Sequence, residues 1–104
     1  MHARMTRFQG PVSSLEESIR IATQEAIPAA AGLPGYRGAL FLVDRESGKL
    51  ATLSLWESEE ALRESDRTVA RWRQQAADAG RVDIIAAERY EVVMTDLTIS
   101  ASDG

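Results

Sequence analysis

A chain of 104 residues with 44% hydrophobic and 27% charged side chains reads as one domain, 1–104, long enough to bury about two thirds of its unfolded surface in one core. Its apolar runs are too short to cross a bilayer, and a net charge of −4 argues against nucleic acid as a partner, since a phosphate-backbone binder needs a basic face. Cysteine is absent and His2 is the lone histidine; this rules out disulfides, thiolate nucleophiles and Cys-ligated metals, and leaves no Ser-His-Asp triad or multi-histidine site unless the terminus is pinned into one.

Residues 3–9, ARMTRFQ, read as a first strand stopped by Gly10-Pro11. The opening segment MHARMTRFQG lacks the apolar stretch of a secretory signal, so a cytoplasmic location is expected. Ser13 and Ser14 each have a glutamate three positions on, Glu16 and Glu17, which is capping-box spacing. The helix they start carries a stripe of Leu15, Ile19, Ala22, Ala26 and Ala29. Pro28 lacks an N–H and clashes with the carbonyl of Gln24, which predicts an end or kink near Ile27 and a short further turn over 28–31 before Gly32.

Leu33-Pro34-Gly35 is a tight turn into a hairpin. Its strands are Tyr36 to Asp44 and Lys49 to Glu57, joined by Arg45, Glu46, Ser47 and Gly48. The short run Asp44-Arg45-Glu46 lacks the alternating oxygens of a calcium loop and reads as a turn. Ser58 then caps a long helix with Glu59 and Glu60 in its first turn. Its stripe is Leu62, Ser65, Val69, Trp72, Ala76 and Ala79, with Gly80 as the stop, and Arg63, Glu64, Asp66, Arg67, Arg71 and Arg73 are assigned to solvent. Residues 81–94 read as a fourth strand and 95–104 as a tail, giving a domain core of about 3–94.

Strand, helix, strand, strand, helix, strand is the ferredoxin-like split βαβ order, an α+β fold with a four-stranded antiparallel sheet. Right-handed crossovers put both helices on one face. If the turn pairs Asp44 with Lys49, Leu40 and Leu42 share a face with Ala51, Leu53 and Leu55, while Ala39, Phe41, Val43, Leu50, Thr52, Ser54 and Trp56 share the other. Both faces are largely apolar, and two helices cover only one. The expectation is therefore a homodimer packed sheet against sheet on Phe41, Val43, Leu50 and Trp56, with the fourth strand or residues 95–100 capping the partner's edge.

The segment PGYRGALFLVDRESGKLATLSLWESEEAL, followed by a helix and AERYEVV, resembles the antibiotic-biosynthesis-monooxygenase-like (ABM) family of dimeric α+β barrels over about residues 8–93. The family's Pro-Gly-aromatic turn and Trp-Glu-Ser strand end match Pro34-Gly35-Tyr36 and Trp56-Glu57-Ser58. The resemblance implies a dimeric barrel. It leaves function open, because the family includes cofactor-free oxygenases of polyketide quinols, haem-degrading enzymes and proteins of no assigned activity. Haem-degrading members would place a Trp at Ser65, a His at Gln75 and an Asn in the first strand, where this chain offers Arg4, Thr6, Arg7 and Gln9. Haem degradation is excluded on those residues.

Trp72, Ser65, Arg4 and Arg7 are the candidate pocket residues, although a tryptophan within an apolar stripe, as Trp72 is, more usually packs in the core; Trp56 is expected to pack structurally. Tyr36 and Tyr90 are either donors to a phenolic ligand or strand-edge cover. Two functions follow. In one, a small dimeric domain binds a hydrophobic or aromatic molecule without transforming it. In the other, a cofactor-independent monooxygenase uses a dry pocket in which an aromatic substrate's own anion donates an electron to O₂. Neither reading calls for a cofactor or a metal.

Overall fold

The computed structural model describes residues 1–98. Four strands, β1 (His2–Gln9), β2 (Tyr36–Asp44), β3 (Lys49–Trp56) and β4 (Asp83–Glu91), form one antiparallel sheet in the order β2-β3-β1-β4. The first strand thus sits inside the sheet, between β3 and β4. The split βαβ expectation holds. The fourth strand is shorter than its 81–94 span suggests, and residues 92–98 carry no regular structure; Ile99 and Ser100 of the expected capping tail lie outside the described residues.

The first helix, α1, spans residues 15–31, entered through a 3₁₀ turn at Val12–Ser14. Neither serine caps it: Ser14 Oγ donates to the Pro11 carbonyl (3.1 Å), so the 3₁₀ turn takes the place of the expected capping box. Pro28 does not end α1. The helix widens into a π turn over Ala22–Ala26, with the Ile27 N–H donating to the Ala22 carbonyl, and then resumes as α-helix over Ile27–Ala31. A shift to five-residue spacing passes over the donor that Pro28 lacks.

The second helix, α2 (Glu59–Gly80), starts as its sequence predicts, with Ser58 Oγ accepting from the Ala61 N–H at 3.0 Å. Leu62 and Ser65 are buried and Val69 and Trp72 half-buried, but Ala79 is exposed while Ala77 is buried. A stripe stepping by three and four repeats every 3.5 residues, and a straight 3.6-residue helix drifts off it by about 20° per heptad. Over the length of α2 the face against the sheet moves one residue along, to Arg73 and Ala77. Arg81, with φ 57°, supplies the left-handed residue beyond the helix end that Gly80 was expected to provide.

Register confirms which residues share a face: Asp44 pairs with Lys49, Leu40 with Leu53, and Phe41 with Thr52. It also reverses their expected exposure. Trp56 (0% exposed) and Leu50 (4%) lie under the helices, Trp56 against Ala61 and Leu62, Leu50 against Leu15 and Ala77. Phe41 packs on the same core, and Val43 sits at the margin of that face. Trp56, Leu50 and Phe41 are therefore taken up by the helices and are not open to a partner sheet. Alternation groups side chains without saying which group the helices cover, and here both groups are apolar. The bare face carries Leu40, Leu42, Ile85 and Tyr90, all exposed, around half-buried Met5, Leu53 and Leu55.

One end of the sheet is closed by glycines. The Gly10 N–H donates to the Gly48 carbonyl (3.3 Å), and Gly48 has φ 81°. A Cβ on Gly48 would stand 2.2 Å from the Gly10 carbonyl oxygen. Gly48→Ala combines a left-handed backbone with a backbone clash, and is expected to cost about 1–3 kcal/mol. A urea midpoint within error of wild type would contradict this packing.

Candidate functional site

The helix-covered face has two buried clusters. One joins Leu15, Leu50, Ala77 and Val82, with Phe8 and Phe41 against it; the other joins Trp56, Ala61 and Leu62, with Tyr36 and Val69 against it. Between them the side chains are short. Thr6, Ala39, Thr52 and Ser54 occupy the middle of the sheet, and α1 faces them with Ala22, Ala26 and Ala30. Small residues opposite small residues leave a gap, and the π turn of α1 lies along it. The result is a cavity of about 80 Å³ with a mostly apolar lining, flanked by half-buried Thr68, Trp72 and Arg73 of α2.

Arg4 is the fully buried charged group of this interior, 4% exposed on the central strand. Its Nη2 donates to the Leu62 carbonyl (2.9 Å), to Ser65 Oγ (2.9 Å) and to Asp66. Its guanidinium carbon stands 5.7 Å from the Trp56 ring centroid, a cation–π distance. Asp66 also accepts from Arg89 of β4. Burial draws the Arg4 pKa below the usual arginine value, while the hydrogen bond and charge of Asp66 oppose that shift. Arg4 Nη1, also buried, has no hydrogen-bond partner among the described residues.

Of the residues expected at a pocket, Arg4 and Trp72 line the cavity, and Ser65 meets Arg4 behind it while also donating to Leu62 O at 2.6 Å. Arg7 lies outside this cavity and lines a separate hollow with Leu42, Val43 and Ile85. It points to the opposite face of β1, as the strand's two-residue period requires, and pairs with Glu88 at 2.7 Å. Trp56 is structural: its Nε1 donates to Ser54 Oγ (3.0 Å), and Tyr36 meets its ring edge-on with centroids 5.5 Å apart. Tyr36 lines the cavity, where burial pushes its phenol pKa up; Tyr90 lies on the bare face.

Asp66 and Arg73 escaped the sequence reading because both fall among the polar residues flanking the α2 stripe. A signal for Asp66 was present, since a basic residue that alternates onto a covered strand face requires a counter-charge. His2 pairs with Trp56 across the strands and has a buried Nδ1 with no hydrogen-bond partner among the described residues, but it does not line the cavity. The turn at Asp44 is only a turn, its Oδ1 accepting from the Glu46 N–H at 3.0 Å. Among the described residues no cluster of three or more His, Cys, Asp or Glu converges as a metal site, and no helix is long and apolar enough to cross a membrane.

Two stability measurements separate tether from lining. Asp66→Ala strands a buried guanidinium and is expected to cost about 3–5 kcal/mol. Trp72→Ala, at a cavity margin, is expected to cost about 1 kcal/mol or less, where a packed core tryptophan would lose about 3–5. Denaturant melts showing the reverse order would contradict both placements.

No family model matches the chain. Two uncharacterised proteins of Mycobacterium tuberculosis are similar in sequence: Rv2557, 32% identical over 78 residues, 75% of this chain and 35% of its own length, and Rv2558, 35% identical over 77 residues, 74% and 33%. The chain spans about a third of the length of these curated relatives. Solved structures are similar over most of their length. A candidate antibiotic biosynthesis monooxygenase from Deinococcus radiodurans superposes at TM-score 0.74 with 14% identity, covering 96% of this chain and all of that one (100%). The ActVA-Orf6 monooxygenase of Streptomyces coelicolor, in complex with the ligand nanaomycin D, gives 0.70 at 17% identity, covering 94% and 92%. SnoaB of Streptomyces nogalater, a cofactor-independent oxygenase, gives 0.61 at 18% identity, covering 90% and 94%. The protein has the ferredoxin-like α+β fold of the antibiotic-biosynthesis-monooxygenase-like proteins.

Proposed function

We propose that the chain is a small cytoplasmic domain that pairs with a second copy of itself and binds a hydrophobic or aromatic small molecule, without transforming it, in the cavity between helices and sheet. The observation that carries the ligand half is the cavity itself, an apolar gap between two packed clusters. A cavity of about 150 Å³ seats a benzene ring, so the 80 Å³ here takes a ring only as half-buried Trp72 turns aside. Toluene titrated into the protein is expected to shift the methyl resonances of Ala22, Ala26 and Ala30, more strongly in Trp72→Ala. Unmoved methyls in both proteins would remove the reading.

The bare sheet face supports the dimer. A wet face of an antiparallel sheet ordinarily alternates apolar with polar, whereas Leu40, Leu42, Leu53, Leu55 and Met5 stand together here. A second sheet packing about 10 Å away removes them from water. Val93, Met94 and Leu97, largely exposed beyond β4, are apolar side chains that in such a pair would cover the partner's edge. Light scattering is expected to give twice 11.4 kDa for wild type and a folded monomer for Leu53→Asp. A wild-type monomer at high concentration would overturn the pairing.

The second reading is a cofactor-independent monooxygenase of an aromatic or polyketide-like substrate. Its support is the fold shared with SnoaB and ActVA-Orf6 and the convergence of Arg4, Tyr36 and the hydroxyls of Thr6 and Thr52 on an apolar space. Oxygen uptake on anthrones and hydroquinones, with no metal or flavin added, tests it. A rate no greater than background across that panel would leave the binding function alone.

A further inference from the structure

Arg4 is an incomplete hydrogen-bonding unit. A guanidinium carries five N–H donors and no acceptor, and Nη2 alone makes the contacts to Leu62, Ser65 and Asp66. Nη1 is buried on a residue that lines the cavity, and no protein acceptor reaches it among the described residues. A buried donor left unsatisfied is costly, more so on a charged group. Two arginines, Arg4 and Arg89, share the one Asp66 carboxylate, and Arg73 lines the same cavity. Glu88 sits on the other face with Arg7. Further along the same lining stand the apolar side chains of Phe8, Phe41 and Leu50.

Resting on the ligand-binding reading above, we propose that the cavity is selective for a small amphipathic acid, whose anionic oxygen accepts from Arg4 Nη1 while its apolar body lies toward Phe8, Phe41 and Leu50. Carboxylate and phenolate oxygens share this chemistry. Both accept charge-assisted hydrogen bonds that are stronger than neutral ones, and either would supply the partner that Nη1 lacks. A neutral hydrocarbon fills the same space and leaves Nη1 unpaired.

The test compares probes of one shape and different charge on the intact protein. Benzoate and 4-nitrophenolate are the anionic arms, and nitrobenzene, which matches benzoate in shape without its charge, is the neutral one. Affinities are read from the methyl resonances of Ala22 and Ala26, together with the guanidinium ¹⁵N signals. The expected result is that at least one anion binds ten-fold or more tightly than nitrobenzene, with the Arg4 Nη signals moving, and that Arg4→Gln abolishes the preference. Which anion binds more tightly separates carboxylate from phenolate. Should Arg4→Gln fail to fold, the wild-type ratio decides by itself. Equal binding of benzoate, 4-nitrophenolate and nitrobenzene would overturn the role of Arg4 and leave the cavity reading standing. Shifts confined to exposed arginines would likewise overturn it, whereas no shift at the cavity with any probe would overturn both.

Discussion

A charged side chain on the covered face of the central strand sets the terms for this fold. Arg4 cannot be buried at 4% exposure without partners, because an isolated charge in a low-dielectric interior is prohibitive. Its hydrogen-bond acceptors among the described residues are all on one turn of α2, the Leu62 carbonyl, Ser65 and Asp66, and Asp66 extends the link to Arg89 on β4. The tether therefore fixes α2 against β1 and, through Asp66, against β4. An apolar contact would let the helix slide; a set of directional bonds to three neighbouring acceptors does not.

With α2 held in this way, the sizes of the neighbouring residues decide what fills the space beside it. Large side chains collect at either end, around Leu50 and around Trp56, and the middle is left to alanines and short hydroxyls. Packed interiors ordinarily close such gaps. Here α1 cannot simply move in, since both of its ends are built into the clusters, Leu15 at one and Ala30 at the other, and its π turn lies along the wall between them. Pro28, which follows the π turn directly, is not among the residues lining the cavity.

Much of the fold was legible because its signals are local. The hairpin register follows from one turn with glycine at its end, the Ser58 cap from a side-chain hydroxyl and the next N–H groups, and the strand order from rules of chain connection. The misplacements share a cause. Which sheet face is covered, how far the α2 stripe drifts by Ala77, and whether Arg7 or Arg4 points inward are matters of absolute phase, and periodicity carries only relative phase. Both sheet faces being apolar removed the usual clue. The site was half legible for the same reason: Arg4, Ser65 and Trp72 sit on patterns, whereas Asp66 is recognisable only from the charge it answers across 62 residues of chain.

Ligand binding here depends on the space beneath the π turn being an open apolar volume rather than tightly packed core. Xenon enters dry apolar cavities and ignores close-packed interiors. A crystal of the protein pressurised with xenon should show an atom bounded by Thr6, Ala22, Ala26 and Leu50. An unoccupied region there, with Trp72 or Phe41 folded into the gap, would contradict it.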